Sequence, residues 1–201
     1  MQTVLNFDLR KQLAFYGAYH SNPVNIWIHI FGVPAILWSA LVLGTRLPPP
    51  TFLPSVHYVV NEYMIFETNA PALTMALYMV YYAILDPVAT LLFVPQMTLT
   101  VLTATAFSYR PNAVRDALIV QTASWIAQFI GHGYAEGRAP ALLDNLVGAL
   151  VTAPFFVHLE ILFYFGYRPA LHKQLKNDVG VEITRIRREK AEKERARKKT
   201  S

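Results

Sequence analysis

Three of the six histidines stand among neighbours that suit metal chemistry: His20, His29 and His132. The first two belong to the run Tyr16-x3-His20-x4-Asn25-x3-His29-x2-Gly32-x-Pro34. Between them, Asn22-Pro23 reads as a helix start, with Asn22 as the cap and Pro23 in the first turn. A continuous helix would put His20 and His29 on opposite faces. A break at Asn22-Pro23 lets His20 fold back toward the face that carries Asn25 and His29, which are i,i+4 neighbours. The second run is Gln128-x2-Gly131-His132-Gly133-x2-Glu136, followed by Pro140-Ala141. If the helix continues, His132 and Glu136 point at one spot. The two glycines flanking His132 would let backbone or a ligand approach it closely.

A third candidate is Glu160, in Ala153-Pro154-Phe155-x4-Glu160, a carboxylate inside an apolar segment. The chain has no cysteine, which excludes disulfides, thiolate metal sites and cysteine nucleophiles. Any metal must take nitrogen and oxygen ligands. His20, His29, His132 and Glu136 offer that set for a mononuclear iron or zinc ion. The same residues also suit hydrogen bonding between helices in an apolar bundle, and spacing alone leaves both readings open. His57 and His172 read as surface residues. His158 is two positions from Glu160, so it faces elsewhere and reads as a headgroup-level or packing histidine.

The elements that must position these groups are membrane segments. Hydrophobic residues make up 54% of the 201, in stretches near the ~20 residues that span a bilayer. Ile26 to Gly44 is one, closed by Arg46 and Pro48-Pro49-Pro50. Pro71 to Leu85 and Val88 to Phe107 are two more, split by Asp86-Pro87 into a helical hairpin. Ala117 to Ile130 and Leu142 to Tyr167 follow, the latter carrying Pro154. Val56 to Phe66 is short and contains Asn61 and Glu62, which suits an interfacial piece. The expected fold is all-α, a polytopic membrane helical bundle of four to six segments, some re-entrant.

Charge divides the chain into a membrane-embedded domain, residues 1–180, and a basic tail, residues 181–201. The domain carries nine Lys/Arg and nine Asp/Glu; the tail carries nine Lys/Arg and four Glu, which is the whole net +5. A short basic run beside a lipid-soluble body argues against nucleic-acid binding. The run suits a solvated helix or a disordered tail, and the positive-inside rule places it in the cytosol. Lys198-Lys199-Thr200-Ser201 has the dilysine form of an endoplasmic reticulum retrieval signal. Residues 1–24 are mixed polar, and no cleavable signal peptide is visible.

The quoted groups, with WIAQFIGHGYAEGRAPALLDNLVGAL and APFFVHLEILF, resemble the yeast-type 2-hydroxy fatty acid dioxygenase family. The similarity runs from about Leu5 to about Gly180. It implies an iron(II)-dependent dioxygenase of the endoplasmic reticulum that shortens 2-hydroxy fatty acids by one carbon. The pathway implied is the alpha-oxidation that follows phytosphingosine breakdown. The family's required histidines match His20, His29 and His132, and Glu136 also falls on its pattern. His158 occupies a position where the family tolerates apolar residues.

A 2-hydroxy acid chelates through two atoms and dioxygen takes a third position, leaving three places for protein on an octahedral Fe(2+). Three histidines would fill them, and so would two histidines with Glu136. The expected set is the three histidines, with Glu136 a displaceable fourth ligand, a partner orienting a histidine, or the base for the 2-hydroxyl. Lys11 or Arg138 could steer the carboxylate. The competing class is a non-catalytic membrane scaffold, which tolerates His132→Ala. A transporter lacks its matched broken helices, and a di-iron hydroxylase lacks its paired histidines. If every segment crossed fully, a cytosolic tail and a cytosolic His132 would conflict. One segment is therefore expected to be re-entrant, that of Pro154, or else the site lies within the membrane.

Overall fold

The Asn22-Pro23 break is present. In the computed structural model, which describes residues 7–137 and 146–200, α1 spans Leu9–Tyr19 and α2 spans Pro23–Gly44. The Asn22 side chain accepts the Val24 N–H at 2.9 Å, and Pro23 begins the helix. Helices α3 (Ala70–Leu85) and α4 (Pro87–Ser108) meet at Asp86, whose extended backbone is what a residue before proline adopts. Helix α5 (Ala113–Ile130) runs on into a π-helical turn, Gly131–Glu136, and α6 covers Leu146–Tyr164. Helix α7 is a single run, Pro169–Thr200.

The α2, α4 and α6 helices are long and apolar enough to cross a membrane; α3 is apolar but shorter. Their surroundings are apolar too. Trp27, Phe31, Leu77, Ile84, Leu91 and Ile119 all project outward, a surface suited to lipid and costly in water. Inside, Tyr82, Phe93, Phe155, Phe156 and Leu159 form the buried centre. Tyr82 stacks on Phe155 at 4.6 Å between ring centroids.

Side-chain contacts give the direction of each helix. Asn25, Ile28 and Ser39 of α2 meet Gly131, Gln128 and Gln121 in descending order, so α2 and α5 are antiparallel. Trp38 bonds Thr103 and Arg46 bonds Ser108, so α2 and α4 run parallel. One end of the bundle therefore holds the starts of α2 and α4 and the ends of α3 and α5. The chain is at this end at Glu136, which bonds Asn22, and again at Tyr167 and Arg168, which bond Asp86. The chain that follows α6 is therefore at the same end of the bundle as the π-helical turn.

The opposite end carries a feature the sequence reading missed. The Val56 to Phe66 stretch, expected as an interfacial segment, is an antiparallel hairpin of β1 (His57–Asn61) and β2 (Met64–Glu67). Alternating Tyr, Val and Ile on either side of Asn61-Glu62-Tyr63 is a strand–turn–strand pattern. His57 is exposed there and pairs with Glu67 at 2.7 Å.

Helix α7 is docked on α1. Arg10 holds Asp178 through two hydrogen bonds, Val179 packs where Gly17 has no side chain, and Ile183 and Ile186 cover Ala18 and Tyr19. The expected boundary at residue 181 falls inside this helix, whose contact with the body reaches Ile186. His172, expected at the surface, is half-buried and stacks on Phe163.

Asp86 ties three elements together at the site end. Its buried carboxylate accepts hydrogen bonds from Ala89 N–H, Tyr167 Oη and Arg168 Nη1. Asp86→Ala is expected to cost about 2–4 kcal/mol, because a cap and a charged partner are lost together. Thermal unfolding in detergent micelles measures this, and Asp86→Asn, which keeps the cap, should lose less.

Candidate metal centre

His20 is the C-cap of α1, His29 lies two turns into α2, and His132 is the second residue of the π-helical turn. All three are buried, and one potential ligand atom from each falls within 4.8 Å of the others. Their rings meet edge to face, with centroids 4.3 to 4.9 Å apart. The structure therefore brings together the three histidines that the two sequence runs single out.

The hydrogen bonds around them fix what each ring offers. His20 Nδ1 lies 2.8 Å from the Tyr16 carbonyl and His29 Nδ1 lies 2.9 Å from the Asn25 carbonyl. A carbonyl only accepts, so Nδ1 carries the proton in both rings, and each Nε2 is a bare lone pair in the neutral form. Burial, then the neighbouring His29, pushes the His20 imidazole well below its ordinary range, which favours its neutral form. Yet the two Nε2 atoms face each other at 3.0 Å. Two lone pairs at that separation repel unless a positive centre draws both. Two nitrogens each bound at ~2.1 Å and at right angles lie ~3.0 Å apart. In addition, His132 Nδ1 is buried with no hydrogen-bond partner among the described residues. The three histidines fit a metal ion on all of these counts.

Glu136 is placed differently from the expectation that it shares their spot. Its carboxylate accepts from Ser21 Oγ at 2.9 Å, Asn22 N–H at 2.7 Å and Asn25 Nδ2 at 3.3 Å. It is not part of the group whose ligand atoms converge. It clamps the π-helical turn carrying His132 to the link between the helices carrying His20 and His29. The wider turn is closed by the left-handed Gly137, whose N–H reaches the His132 carbonyl. Of the glycines flanking His132, Gly131 is a close approach: a Cβ there would lie 2.5 Å from Asn25 Oδ1. Gly133 faces open space.

The remaining candidates lie elsewhere. Glu160 sits on α6 outside the histidine group. His158 packs on Phe93 at 4.2 Å and bonds the Ala89 carbonyl, a packing histidine as read. Arg138, Pro140, Ala141, Asp144 and Asn145 lie outside the described residues. Two features escaped the sequence reading. Tyr16 stacks on His20 at 3.9 Å, an i,i+4 aromatic pair visible in the spacing. Glu182 and Arg185 of α7 reach the site region, and nothing in their sequence signals it.

A cavity of about 760 Å³ opens from the histidines. Its walls are mainly apolar, with Val33, Ile36, Leu37, Trp125, Phe129 and Phe156 among them, and Lys11 and Arg185 also border it. Lys11 pairs with Asp8 at 3.2 Å, and Arg185 pairs with Glu182 and Glu189. A metal-binding pole beside an apolar chamber suits an amphiphile with a chelating head and a long apolar tail.

Comparison with known proteins agrees with this picture. The 2-hydroxy-palmitic acid dioxygenase Mpo1-like family matches residues 7–165. The 2-hydroxy-palmitic acid dioxygenase MPO1 of Saccharomyces cerevisiae is 34% identical over 182 residues, covering 90% of this chain and 94% of that protein. No solved structure matches the chain. The match spans all three histidines and the helices that hold them, and the chain belongs to the 2-hydroxy-palmitic acid dioxygenase Mpo1-like family.

Proposed function

We propose that the protein is an iron(II)-dependent dioxygenase that converts 2-hydroxy fatty acids to fatty acids one carbon shorter. The observation that carries this reading is the convergence of His20, His29 and His132 in the wall of an apolar cavity. The printed activity of the yeast relative supports it. The net reaction balances as one 2-hydroxy acid and one dioxygen giving the shorter acid, carbon dioxide and water. The substrate supplies all the electrons, so no second reductant is required.

His20, His29 and His132 would hold the iron. Bound there, iron(II) would supply the redox chemistry that lets dioxygen react with a 2-hydroxy acid. The protein's own groups do the rest. The Tyr16 and Asn25 carbonyls hold two imidazoles in the tautomer that leaves Nε2 free. Tyr16 fixes the plane of the His20 ring. Glu136 has both oxygens engaged by hydrogen bonds, so it acts as a positioning residue that keeps His132 against the other two. The apolar walls take the acyl chain and keep water from the reacting head.

Helix α7 starts beside Asp86 at the site end and packs on α1, which supports a basic run on the same side of the membrane as the site. The positive-inside rule then puts the site at the cytosolic face. A cytosolic-facing site in a polytopic membrane protein suits the endoplasmic reticulum, where sphingoid-base breakdown would supply the substrate. The test is product analysis. Membranes containing the protein, given 2-hydroxypalmitate and air, should form the fifteen-carbon acid, and His132→Ala membranes should not. Release of an unshortened oxidised acid instead would refute the chain-shortening reaction.

A further inference from the structure

Gln128 is a buried amide whose two ends are treated unequally. Its Nε2 donates to the Ile28 carbonyl at 3.2 Å, while its Oε1 is buried with no hydrogen-bond partner among the described residues. A buried acceptor left unpaired costs about 1–3 kcal/mol, so its persistence asks for a donor that arrives from outside the chain. The amide cannot turn over to offer N–H instead, since that would leave the Ile28 carbonyl facing an oxygen. Gly32 makes the arrangement possible: a Cβ there would lie 2.0 Å from Gln128 Nε2. The two histidine runs therefore meet at this pair, Gly32 one turn beyond His29 and Gln128 one turn before His132.

Gln128 also belongs to the cavity wall, with His20, His29 and His132. Gln128 stands about one helical turn before His132, which shares that wall. An acceptor-only group is indifferent or unfavourable to a carboxylate. On an ionised 2-hydroxy fatty acid the hydrogen-bond donor is the 2-hydroxyl.

We propose that Gln128 is the residue that recognises the 2-hydroxyl of the substrate, its Oε1 accepting the hydroxyl hydrogen bond. The inference rests on the substrate class proposed above. It assigns to Gln128 the choice between a 2-hydroxy acid and an acid without a donor at carbon 2. A site built to pair with a hydroxyl discriminates strongly against the analogue that lacks it, because the protein group is then left unpaired.

The test compares two ligands that differ in donor capacity. Dissociation constants of 2-hydroxypalmitate and 2-fluoropalmitate are measured on iron-loaded protein without oxygen, by quenching of tryptophan fluorescence. Fluorine at carbon 2 is similar in size to hydroxyl and donates nothing. Wild type should prefer the hydroxy acid, and Gln128→Met, of similar length and without the acceptor, should lower that preference about tenfold. Gly32→Ala, which displaces the amide, should lower it in the same direction, so the test does not depend on one variant folding. A preference kept at the wild-type ratio in the folded variants overturns the role of Gln128 and leaves the dioxygenase reading standing. A wild type with no preference for the hydroxy acid overturns both.

Discussion

Replacing any one of His20, His29 or His132 with alanine is expected to release the metal and abolish turnover of 2-hydroxypalmitate. Substituting a residue that only orients a ligand typically costs 10–100-fold in metal affinity or activity. Loss of a ligand itself should exceed about a hundredfold. The burial of all three rings makes the effect specific to the site, because His158→Ala, at an equally buried packing position, should keep the metal. Elemental analysis of each purified variant beside oxygen uptake separates the outcomes. A metal-free but folded His29→Ala agrees with the account. A variant that keeps both metal and activity removes that residue from the centre.

The second large effect is expected at Glu136. Its carboxylate joins elements more than a hundred residues apart in sequence, through Ser21, Asn22 and Asn25. Glu136→Ala removes the acceptor of the Asn22 N–H and one of the two acceptors of the Asn25 amide, and frees the turn that carries His132. The expected result is 10–100-fold weaker iron binding, with activity restored at high iron. Glu136→Gln keeps acceptor capacity at one oxygen and should lie between wild type and alanine. An iron titration followed by oxygen uptake distinguishes this from a catalytic base. Loss of a base would leave iron affinity at the wild-type value and lower turnover at saturation.

The parts of this site that follow from local chemistry were legible in the sequence. Asn22-Pro23 marks a helix break, and the break is what turns His20 back onto His29. Asp86-Pro87 marks the α3–α4 hairpin in the same way. The histidine runs themselves pointed to a ligand set, and the resemblance they carry agrees with the family the chain belongs to. Features created by distant contacts were not legible. The i,i+4 spacing of His132 and Glu136 suggested a shared target, but the choice of Asn22 as partner depends on how α2 and α5 pack. The docking of α7 rests on Arg10 with Asp178 and on the fit of Val179 against Gly17, pairings more than 160 residues apart that no local spacing announces. The β-hairpin was hidden by its composition: Val, Tyr and Ile between membrane segments read as lipid-seeking before they read as strand.

The Nε2 atoms of His20 and His29 face each other at 3.0 Å beside His132, a geometry that a shared metal ion would favour. The most direct test is to strip the purified protein of metal and titrate iron(II) back without oxygen. Turnover of 2-hydroxypalmitate is then measured on admitting air. The account predicts no activity in the stripped protein, and a linear rise that saturates near one iron per chain. Full activity in the metal-free protein, or saturation at one iron per chain in a His20→Ala, His29→Ala or His132→Ala variant, would contradict it.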